Sequence, residues 1–365
     1  MSVREVTAAQ VADIARGAAI LGTGGGGDPY IGRLLAEQAI RRHGPVRLVD
    51  VDEVPGDAVV VPVAMMGAPT VMVEKPPSGG EIHTALAALQ EVLGREITHL
   101  ACAEAGGINS TIPFVAAAQT GLPLLDADGM GRAFPELQML LPTLIGVTTT
   151  PMAVADEKGN SALIRTEDNR WAERFARSVT IDMGCSAMTT QYMLRGTQLR
   201  DGMVPGTLTL VERLGAAVRE ARGHRDPIAD ATKVLGGHRL FTGKVADVVR
   251  RTSGGFARGT AVLEGTGTYD GRRMELEFQN ENLVARRDGT VVASVPDLIC
   301  VLESDTGEPV TTEGLRYGFR VSVVGAPCDP RWRTDAGLAL VGPGYFGYDH
   351  RYVPVERLAA TTAGA

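Results

Sequence analysis

The sequence lacks the features that would assign it to a membrane or nucleic-acid-binding class. No stretch reaches the roughly 18 uninterrupted apolar residues that a bilayer-spanning helix requires. No cluster of about five or six Lys and Arg residues appears, and the formal net charge is only -7. We therefore expect neither a nucleic acid nor a membrane surface as partner, and a small molecule instead.

Cysteine is also scarce. Cys102, Cys185, Cys300 and Cys328 are widely separated and form no C-x-x-C pair, and the first ten residues, MSVREVTAAQ, are polar and charged, unlike a signal peptide. We therefore expect reduced thiols and a cytoplasmic location. Cys185 could serve as a nucleophile, although its apolar neighbours are more typical of an inert buried thiol.

Several local motifs are missing as well. The six histidines show neither H-x-x-x-H nor H-E-x-x-H spacing, so a local His-rich zinc motif is absent. A divalent metal held by distant residues, with zinc first among the candidates, is the one cofactor left open. No G-x-S-x-G is present either, which disfavours a serine-hydrolase elbow.

The chain is long enough, at 365 residues and 44% hydrophobic composition, for two domains with separate cores. In the first part, continuous apolar runs at 46–51 and 58–67 predict buried strands, and they alternate with helical patterns such as those at 80–93 and 113–119. This alternation predicts an α/β domain over residues 1–165, with a mostly parallel sheet layered with helices.

The second part has a different pattern. Residues from about 167 to 235 are predicted to be mainly helical, and from His238 onward short β-rich runs such as RMELEF and RVSVVGA are separated by Gly, Asp and Pro turns. Residues 166–360 are therefore predicted to form a helical junction and a β-rich domain with a few helices. The predicted fold class is α/β plus β.

A run of four glycines stands within LGTGGGGDPYIG at 21–32. A helix is predicted before it, and Asp28 can cap a second helix that begins at Pro29. A P-loop requires a lysine at the position that Asp28 occupies. A dinucleotide-binding loop follows a strand, whereas a helix is predicted before this run. Neither nucleotide-binding motif therefore matches. The run is either a flexible connector or a loop whose main-chain N–H groups bind a carboxylate or polarised carbonyl oxygen. The predicted binding residues are Thr23, Gly24, Gly25, Gly26, Gly27 and Asp28.

Polar residues follow two predicted strands of the first domain. AEAGGINS places Glu104, Gly106, Gly107, Asn109 and Ser110 after one strand, and LLDADGMGR places Asp126, Asp128 and Arg132 after the next. Ligands of open α/β sheets bind beyond the carboxyl ends of strands, so these residues are expected to share one crevice. The carboxylates could hold a divalent cation or divide general-acid and general-base roles, and Asp-Ala-Asp-Gly is equally typical of an ordinary turn.

Two further sets of residues have both a structural and a functional interpretation. After a buried strand come Gly67, Pro69, Thr70, Glu74 and Lys75, where the Glu-Lys pair is also typical of a solvated loop. The β-rich part contributes Asn280, Glu281, Asn282, Asp297, Tyr345, Phe346, Tyr348, Asp349 and His350. These are typical of strand edges and turns, or they have a role at a domain interface.

Taken in order, several motifs resemble the hydantoinase/oxoprolinase-associated family, which is described as S-methyl-thiohydantoin desulfurase-like. They are LGTGGGGDPYIG, MGAPTVMVEKP, EAGGINSTIPF, LPLLDADGMGRAFPELQM, HRLFTGKVADVVRRTSGGFARG, FQNENLVA, VPDLI and GPGYFGYD, from about Ile20 to Pro354. The resemblance implies an N-terminal α/β domain, a C-terminal β-rich domain, and chemistry on five-membered cyclic imide-like rings of the thiohydantoin or hydantoin type.

Replacing a ring C–S bond by C=O requires water to add at an amidine-like carbon and a thiol or sulfide to leave. The step needs a base, an acid and donors around a planar ring. We expect Glu104, Asp126 and Asp128 to be the catalytic groups, with or without a metal. The glycine loop, Gly67, Asn109 and Glu281 are expected to bind the substrate.

A non-catalytic alternative is a companion subunit of a hydantoinase or oxoprolinase that uses the same cleft for docking or ligand sensing. Such a partner, and a homo-oligomer, are compatible with the sequence. A nucleotide-dependent enzyme is disfavoured by the failed phosphate motifs.

Overall fold

The computed structural model describes residues 4–67, 71, 75, 77–223, 225–253 and 256–363. The chain divides into two compact units. Unit 1 consists of Met1–Ala15, Asp28–Gly131 and Glu136–Thr209, and unit 2 consists of Arg16–Gly27, Arg132–Pro135 and Leu210–Ala365.

Two sheets are built from the strands β1 Arg4–Val6, β2 Val46–Val49, β3 Val59–Gly67, β4 His99–Cys102, β5 Leu124–Asp128, β6 Met152–Ala155, β7 Ser161–Ile164, β8 Ser186–Thr190, β9 Leu194–Arg195, β10 Val204–Pro205, β11 His238–Ser253, β12 Phe256–Gly265, β13 Arg273–Gln279, β14 Glu281–Arg287, β15 Thr290–Ser294, β16 Leu298–Glu303 and β17 Arg320–Ala326.

The α-helices of the described residues referred to below are α1 Ala8–Leu21, α2 Tyr30–His43, α3 Glu81–Leu93, α4 Ile112–Thr120, α5 Leu141–Leu144, α6 Asn169–Asp182, α7 Leu199–Gly202, α8 Thr207–Ala221, α9 Pro227–Leu235, α10 Asp335–Val341 and α11 Val355–Ala363.

Unit 1 contains a mixed sheet in the order β1-β2-β5-β4-β3-β8-β6-β7, with β10 beside β5 and β9 beside β3. The four strands β2, β5, β4 and β3 are parallel to one another, as the alternation of strands and helices predicts. The remaining strands join them in antiparallel fashion. The sheet is therefore parallel at its centre and less parallel overall than predicted.

The central strands of this sheet are buried, which explains their continuous apolar sequences. Every residue of β3 from Val59 to Met66 is buried, and so is most of β4. Side chains from β2, β3, β4 and β5 form one apolar cluster with Leu194, Leu199 and Met203. This burial fixes the strand ends from which the polar loops of unit 1 start.

The region 167–235 is mainly helical, as predicted, and it also contributes a strand that the sequence does not predict. It contains α6, α7, α8 and α9, but also β8, whose residues Ser186–Thr190 pair antiparallel with Val63–Gly67 of β3. All five residues of β8 are buried. The sequence SAMTT has no apolar run or alternation long enough to predict a strand, and its pairing with β3 is what makes it one.

Unit 2 contains an antiparallel sheet in the order β15-β14-β13-β12-β11-β17-β16. Met274, Leu276 and Phe278 of β13 are buried, and the glutamates between them are partly exposed, as their alternation predicts. These residues pack in a cluster with Phe241, Leu263, Ile299 and other apolar residues of the sheet.

The predicted fold class, α/β plus β, is confirmed by these two units. Among the residues that the structure describes, no helix combines the length and apolar character needed to cross a membrane.

Candidate functional site

In unit 1, predicted site residues follow the carboxyl ends of neighbouring parallel strands. β4 ends at Cys102, two residues before Glu104, and β5 ends at Asp128. Cys102 and Asp128 are direct partners in the register of the two strands. The pairing of β4 with β5 therefore brings the two acidic loops together, as the rule for open α/β sheets predicts.

Asn109 holds the Glu104 side chain in place. It lies in the 3₁₀ turn Gly107–Ser110, immediately before α4. Its Nδ2 donates to Oε1 of Glu104 at 2.8 Å and to the carbonyl of Met65 at 3.3 Å, while its Oδ1 accepts from the amide of Met65 at 2.7 Å. Glu104 is 8% exposed and Asn109 9%. Both the amide oxygen and the amide nitrogen of Asn109 bond to the backbone of Met65 in β3. Asn109 therefore holds one carboxylate oxygen of Glu104 in a fixed orientation.

Asp128 is fully buried and is surrounded by backbone amides. It accepts from the amide of Ala105 at 2.8 Å and from that of Gly131 at 3.0 Å. Burial raises the pKa of Asp128 to about 7, although these amides favour its charged form. Asp128 is therefore a carboxyl poised between its two protonation states near neutral pH, and it ties together the loops that begin at 103 and at 129.

Asp126 is used differently. Its carboxylate accepts from the amide of Thr209 at 3.0 Å, in the first turn of α8, and forms an ion pair with Arg4 at 3.2 Å. A carboxylate at this position satisfies an amide at a helix N-terminus and interacts favourably with the helix dipole. The structure thus gives Asp126 a helix-capping contact, and its predicted catalytic role stays a prediction.

Cys102 is the register partner of Asp128 and lies two residues before Glu104. Burial raises its pKa well above the ordinary value, and the charges of Asp128, Asp126 and Glu104 each add to the effect. The charges of all three residues predicted to be catalytic therefore contribute to the pKa of this one thiol. We call Cys102, Glu104, Asp126 and Asp128 the carboxylate cluster. Nothing in the residues around Cys102 predicts this position among charged groups, and its place two residues before Glu104 is the available signal.

The glycine run belongs to unit 2, where backbone bonds hold it to the antiparallel sheet. The amide of Asn282 donates to the carbonyl of Thr23, and the amide of Thr312 donates to the carbonyl of Gly24, both at 2.8 Å. Thr23, Gly24, Gly26 and Gly27 all have positive φ angles. Glycine adopts such angles at little cost, which explains why three of the four positions are glycine. The run is a fixed loop at these contacts.

Gly25 faces Glu281. A Cβ on Gly25 would lie 2.0 Å from Oε1 of Glu281, closer than any side chain could approach. Glu281 is 2% exposed, and burial raises its pKa to about 8 against the opposing effects of the Arg132 charge and the Gly26 amide. Burial thus favours the neutral form of Glu281. Within the described part of the chain, its Oε2 has no hydrogen-bond partner, and neither does Oδ1 of the fully buried Asn282.

Arg132 connects the glycine run to the segments around Asn282 and Asp297. Its guanidinium donates to Oγ1 of Thr23 at 2.7 Å, to the carbonyl of Asp297 at 2.6 Å and to that of Asn282 at 3.3 Å. It also stacks on Phe134, with 4.8 Å from Cζ to the ring centroid. We call Thr23–Gly27, Arg132, Glu281, Asn282 and Thr312 the glycine-loop cluster.

Comparison with known families identifies the chain. A model described as the N-terminal domain of S-Me-THD-like proteins matches residues 9–166, and the corresponding C-terminal model matches residues 167–355. The chain belongs to the S-Me-THD-like family. This confirms the resemblance to S-methyl-thiohydantoin desulfurase-like proteins. No curated protein matches this S-Me-THD-like chain.

One solved structure covers nearly all of the S-Me-THD-like chain. It is the X-ray crystal structure of a protein from Chromobacterium violaceum, 27% identical in sequence, with a TM-score of 0.80. The alignment covers 96% of this chain and 100% of that one. The two-domain fold is therefore shared with a protein whose structure is known.

The other predicted residues of the S-Me-THD-like chain have structural contacts. Asp28, in unit 1, accepts from the amide of Tyr30 at 2.9 Å where α2 begins, one residue later than predicted. Gly67 has φ of 139°, and a Cβ there would lie 2.2 Å from the carbonyl of Cys185. Thr312 was not anticipated, because nothing in TTEGL distinguishes it from an ordinary turn residue.

Lys75, the described member of the predicted Glu74–Lys75 pair, contacts other segments of the chain. Lys75 lies 2.6 Å from the carboxylate of Glu157 and donates to the carbonyl of Met183 at 2.6 Å. Pro69, Thr70 and Glu74 lie outside the described residues. The contacts of Lys75 connect its loop to the segment before β8, which is a structural role.

The predicted divalent metal has no assembled ligand set in the part of the chain that the structure describes. No group of three or more His, Cys, Asp or Glu side chains is arranged there to hold an ion. A zinc site in proteins takes three or four such ligands. The metal therefore stays a prediction, and the mechanism below is derived from the side chains alone.

Proposed function

We propose that this S-Me-THD-like chain is an enzyme that hydrolyses a five-membered cyclic imide-like ring, of the S-methyl-thiohydantoin, thiohydantoin or hydantoin type. The observation that carries the proposal is the family match over residues 9–166 and 167–355. With an S-methyl-thiohydantoin as substrate, the products are the hydantoin-type ring and methanethiol.

The reaction is a substitution by water and needs no oxidant or reductant. The oxygen of water bonds to the ring carbon that carries sulfur, and the C–S bond of that carbon breaks. One proton of water ends on the ring nitrogen and the other on the departing sulfur. The enzyme must therefore move protons in both directions near the same carbon.

Glu104 is the residue that we assign to this proton transfer. Its carboxylate takes a proton from the attacking water and returns it to the leaving sulfur or the ring nitrogen. Two features support the assignment: the bond from Asn109 that orients it at 2.8 Å, and its position after a central parallel strand. Asp128, which is fully buried, acts as a positioning residue through the amides of Ala105 and Gly131.

The glycine-loop cluster of unit 2 supports binding of a polar group. Its two buried oxygens without partners among the described residues, Oε2 of Glu281 and Oδ1 of Asn282, are acceptors that ligand N–H groups could satisfy. A buried polar atom left without a partner costs about 1–3 kcal/mol, so a ligand that supplies the hydrogen bond gains specificity. A neutral Glu281 could also donate to a ring carbonyl.

The test is the reaction itself. The full chain is incubated with an S-methyl-thiohydantoin that carries a propionate side chain, in isotopically labelled water, with and without a chelator. We expect methanethiol in the headspace and labelled oxygen in the ring carbonyl. Glu104→Gln should reduce kcat by about 100-fold or more, whereas Glu96→Gln, an exposed glutamate of the same unit, should leave it unchanged.

Each outcome has a separate meaning. No thiol release by the folded protein, with or without added zinc, contradicts the function. Release that is unaffected by Glu104→Gln retains the function and removes Glu104 from it. If the chelator abolishes thiol release, the result supports the predicted divalent metal.

A second candidate, the companion subunit, is favoured by one surface feature. Trp171 and Phe175 of α6 are 44% and 49% exposed and lie one helical turn apart, with ring centroids 5.7 Å from each other. Exposed aromatic residues are enriched at protein interfaces. Thiol release by the chain alone rejects this candidate, and release that requires an added hydantoinase supports it.

A further inference from the structure

The sheet of unit 2 has an open cavity of about 290 Å³ on its solvent-facing side, which the proposed reaction does not use. Strands β11, β12 and β13 form its floor. Val249, Thr260 and Glu277 make one cross-strand row, and Arg251, Arg258 and Gln279 make the next. Partners in such rows lie on the same face of a sheet. The two rows therefore lie on the face opposite to the one that carries the apolar core, and the buried Phe278 and Leu283 also contribute to the lining.

The second row places two arginines directly opposite each other. Arg251 and Arg258 are register partners on β11 and β12, and both are exposed. Like charges directly opposite one another destabilise a sheet. In the described residues neither has an acidic partner, whereas the neighbouring Arg250 donates to backbone carbonyls of Thr312 and Leu315.

The one carboxylate of the cavity does not neutralise this pair. Glu277 lies in the first row and forms an ion pair at 2.9 Å with Arg286 of β14. The two arginines therefore leave a local excess of positive charge beside the cavity. Guanidinium groups bind carboxylate and phosphate oxygens through paired hydrogen bonds.

Aromatic side chains line another part of the same cavity. Phe346 and Tyr348 come from the segment after α10 and contribute to the lining. The Tyr345 and Phe346 rings pack edge to face, with centroids 5.3 Å apart, and Tyr348 lies 5.7 Å from the ring of His350. Flat rings of this kind favour a flat apolar body.

Gly259 lies on β12 between the two rows, so a Cβ there would lie on the opposite face of the sheet, where Phe278 packs in the apolar core. A Cβ on Gly259 would lie 2.0 Å from the carbonyl of Val249 and 2.7 Å from the ring of Phe278. No larger side chain fits there without movement. The cavity thus combines a cationic row with aromatic residues.

We propose that this cavity is a binding site for a small oxyanion, a carboxylate or a phosphate, carried on a flat apolar body. Arg251 and Arg258 hold the oxyanion, and Phe346 and Tyr348 contact the flat body. The site lies wholly within unit 2. No residue of its lining belongs to either cluster described above, and Gln279 is the register partner of Glu281 of the glycine-loop cluster. Binding there offsets the repulsion between the two arginines.

Calorimetric titration of the full chain tests the site. The probes are benzoate, phenyl phosphate, inorganic phosphate and benzyl alcohol. We expect benzoate or phenyl phosphate to bind with a Kd of about 1 mM or lower, and inorganic phosphate and benzyl alcohol to bind at least about tenfold more weakly. The better of the two aromatic anions identifies the oxyanion as carboxylate or phosphate.

Matched variants locate the binding. Arg251→Gln and Arg258→Gln should each weaken it by about tenfold, whereas Arg320→Gln should not change it. Arg320 is also an exposed arginine of this sheet, but it is paired with Asp305. Thermal unfolding of each variant checks that it folds. Added salt should weaken binding to the unaltered protein, which provides a test without any substitution.

Three results would overturn the proposal. They are the absence of aromatic anion binding, binding that both arginine variants retain in full, and equal binding of benzyl alcohol. Sedimentation velocity adds a fourth: self-association that the arginine variants abolish would assign this face to contact between copies of the chain.

Discussion

Gly25 and Glu281 approach each other so closely that a Cβ on Gly25 would lie 2.0 Å from Oε1 of the glutamate. The glycine is needed here for space, whereas Gly24 and Gly26 have positive φ angles. The contact joins the four-glycine loop to β14. It explains how a run that resembles a linker in sequence takes a fixed position in unit 2.

Gly25→Ala should disrupt this contact. Because the new methyl group collides with a buried carboxyl, we expect a loss of about 1–3 kcal/mol in the free energy of unfolding. We also expect a larger KM if the loop binds substrate. Chemical denaturation and steady-state kinetics measure the two effects.

Gly80→Ala is the matched control. The nearest atom to a Cβ there is 3.6 Å away and its φ is -84°, so neither stability nor KM should change appreciably. Equal effects of the two substitutions would contradict the role assigned to the Gly25–Glu281 contact.

The pKa of Glu281 makes a prediction about stability and pH. Because burial raises this pKa to about 8, the folded state binds the proton more tightly than the unfolded state does. The stabilisation from this proton is complete below the pKa of Glu281 in the unfolded chain, and it is lost as pH rises through about 8. Between these two pH values the free energy of unfolding therefore falls as pH rises. Glu281→Gln should remove up to about 1.4 kcal/mol of this change per pH unit.

Denaturant unfolding measures this difference in slope. It is carried out at a series of pH values between the pKa of Glu281 in the unfolded chain and its folded-state pKa of about 8. The exposed Glu264→Gln on β12 should keep the slope of the unaltered protein. Asp128, whose pKa burial raises to about 7, contributes a slope of the same sign, so some dependence should remain in Glu281→Gln. Identical slopes for Glu281→Gln and the unaltered chain would show that Glu281 is not the buried proton-binding group.

Asn109→Asp tests the orientation of Glu104. A second carboxylate 2.8 Å away would favour protonation of Glu104, while its oxygen could still accept from the amide of Met65. If Glu104 is the general base, the acidic limb of the pH profile of kcat/KM should move to higher pH by about one unit or more.

Asn160→Asp is a matched control for this prediction. Asn160 also donates to a carboxylate, that of Asp156, at 2.8 Å. This pair lies in the turn between β6 and β7 and does not include the proposed catalytic residue. Its pH profile should match that of the unaltered enzyme. A uniform fall in rate for Asn109→Asp, with no movement of the limb, would indicate a structural role only.

The four cysteines should differ in reactivity. All are free; Cys102, Cys300 and Cys328 are buried with raised pKa values, and Cys185 is half-buried. The thiolate is the reactive form, so a disulfide reagent should modify Cys185 in the folded protein and the others only after unfolding. Cys185→Ser should abolish the fast reaction and preserve enzymatic turnover. Loss of turnover on this substitution would reopen the nucleophile hypothesis for Cys185.

Much of the fold follows from local patterns in the sequence. The buried strand β3 and the alternating strand β13 were predicted because burial on both faces, or on one face, leaves a direct trace in residue order. β8 was not predicted, because its partner β3 lies more than a hundred residues earlier in the chain. The antiparallel additions to the sheet of unit 1 depend on such distant pairings.

The sequence by itself determined the two-part organisation, the family, and the residue types that gather at the ends of β4 and β5. Tertiary structure alone decided how those residues are used. Asn109 reaches Glu104 because a backbone segment of β3 holds its amide, and Asp126 caps α8 because that helix begins beside β5. The pKa values of Asp128 and Glu281 depend on burial, and burial is a property of packing between segments that are far apart in the chain.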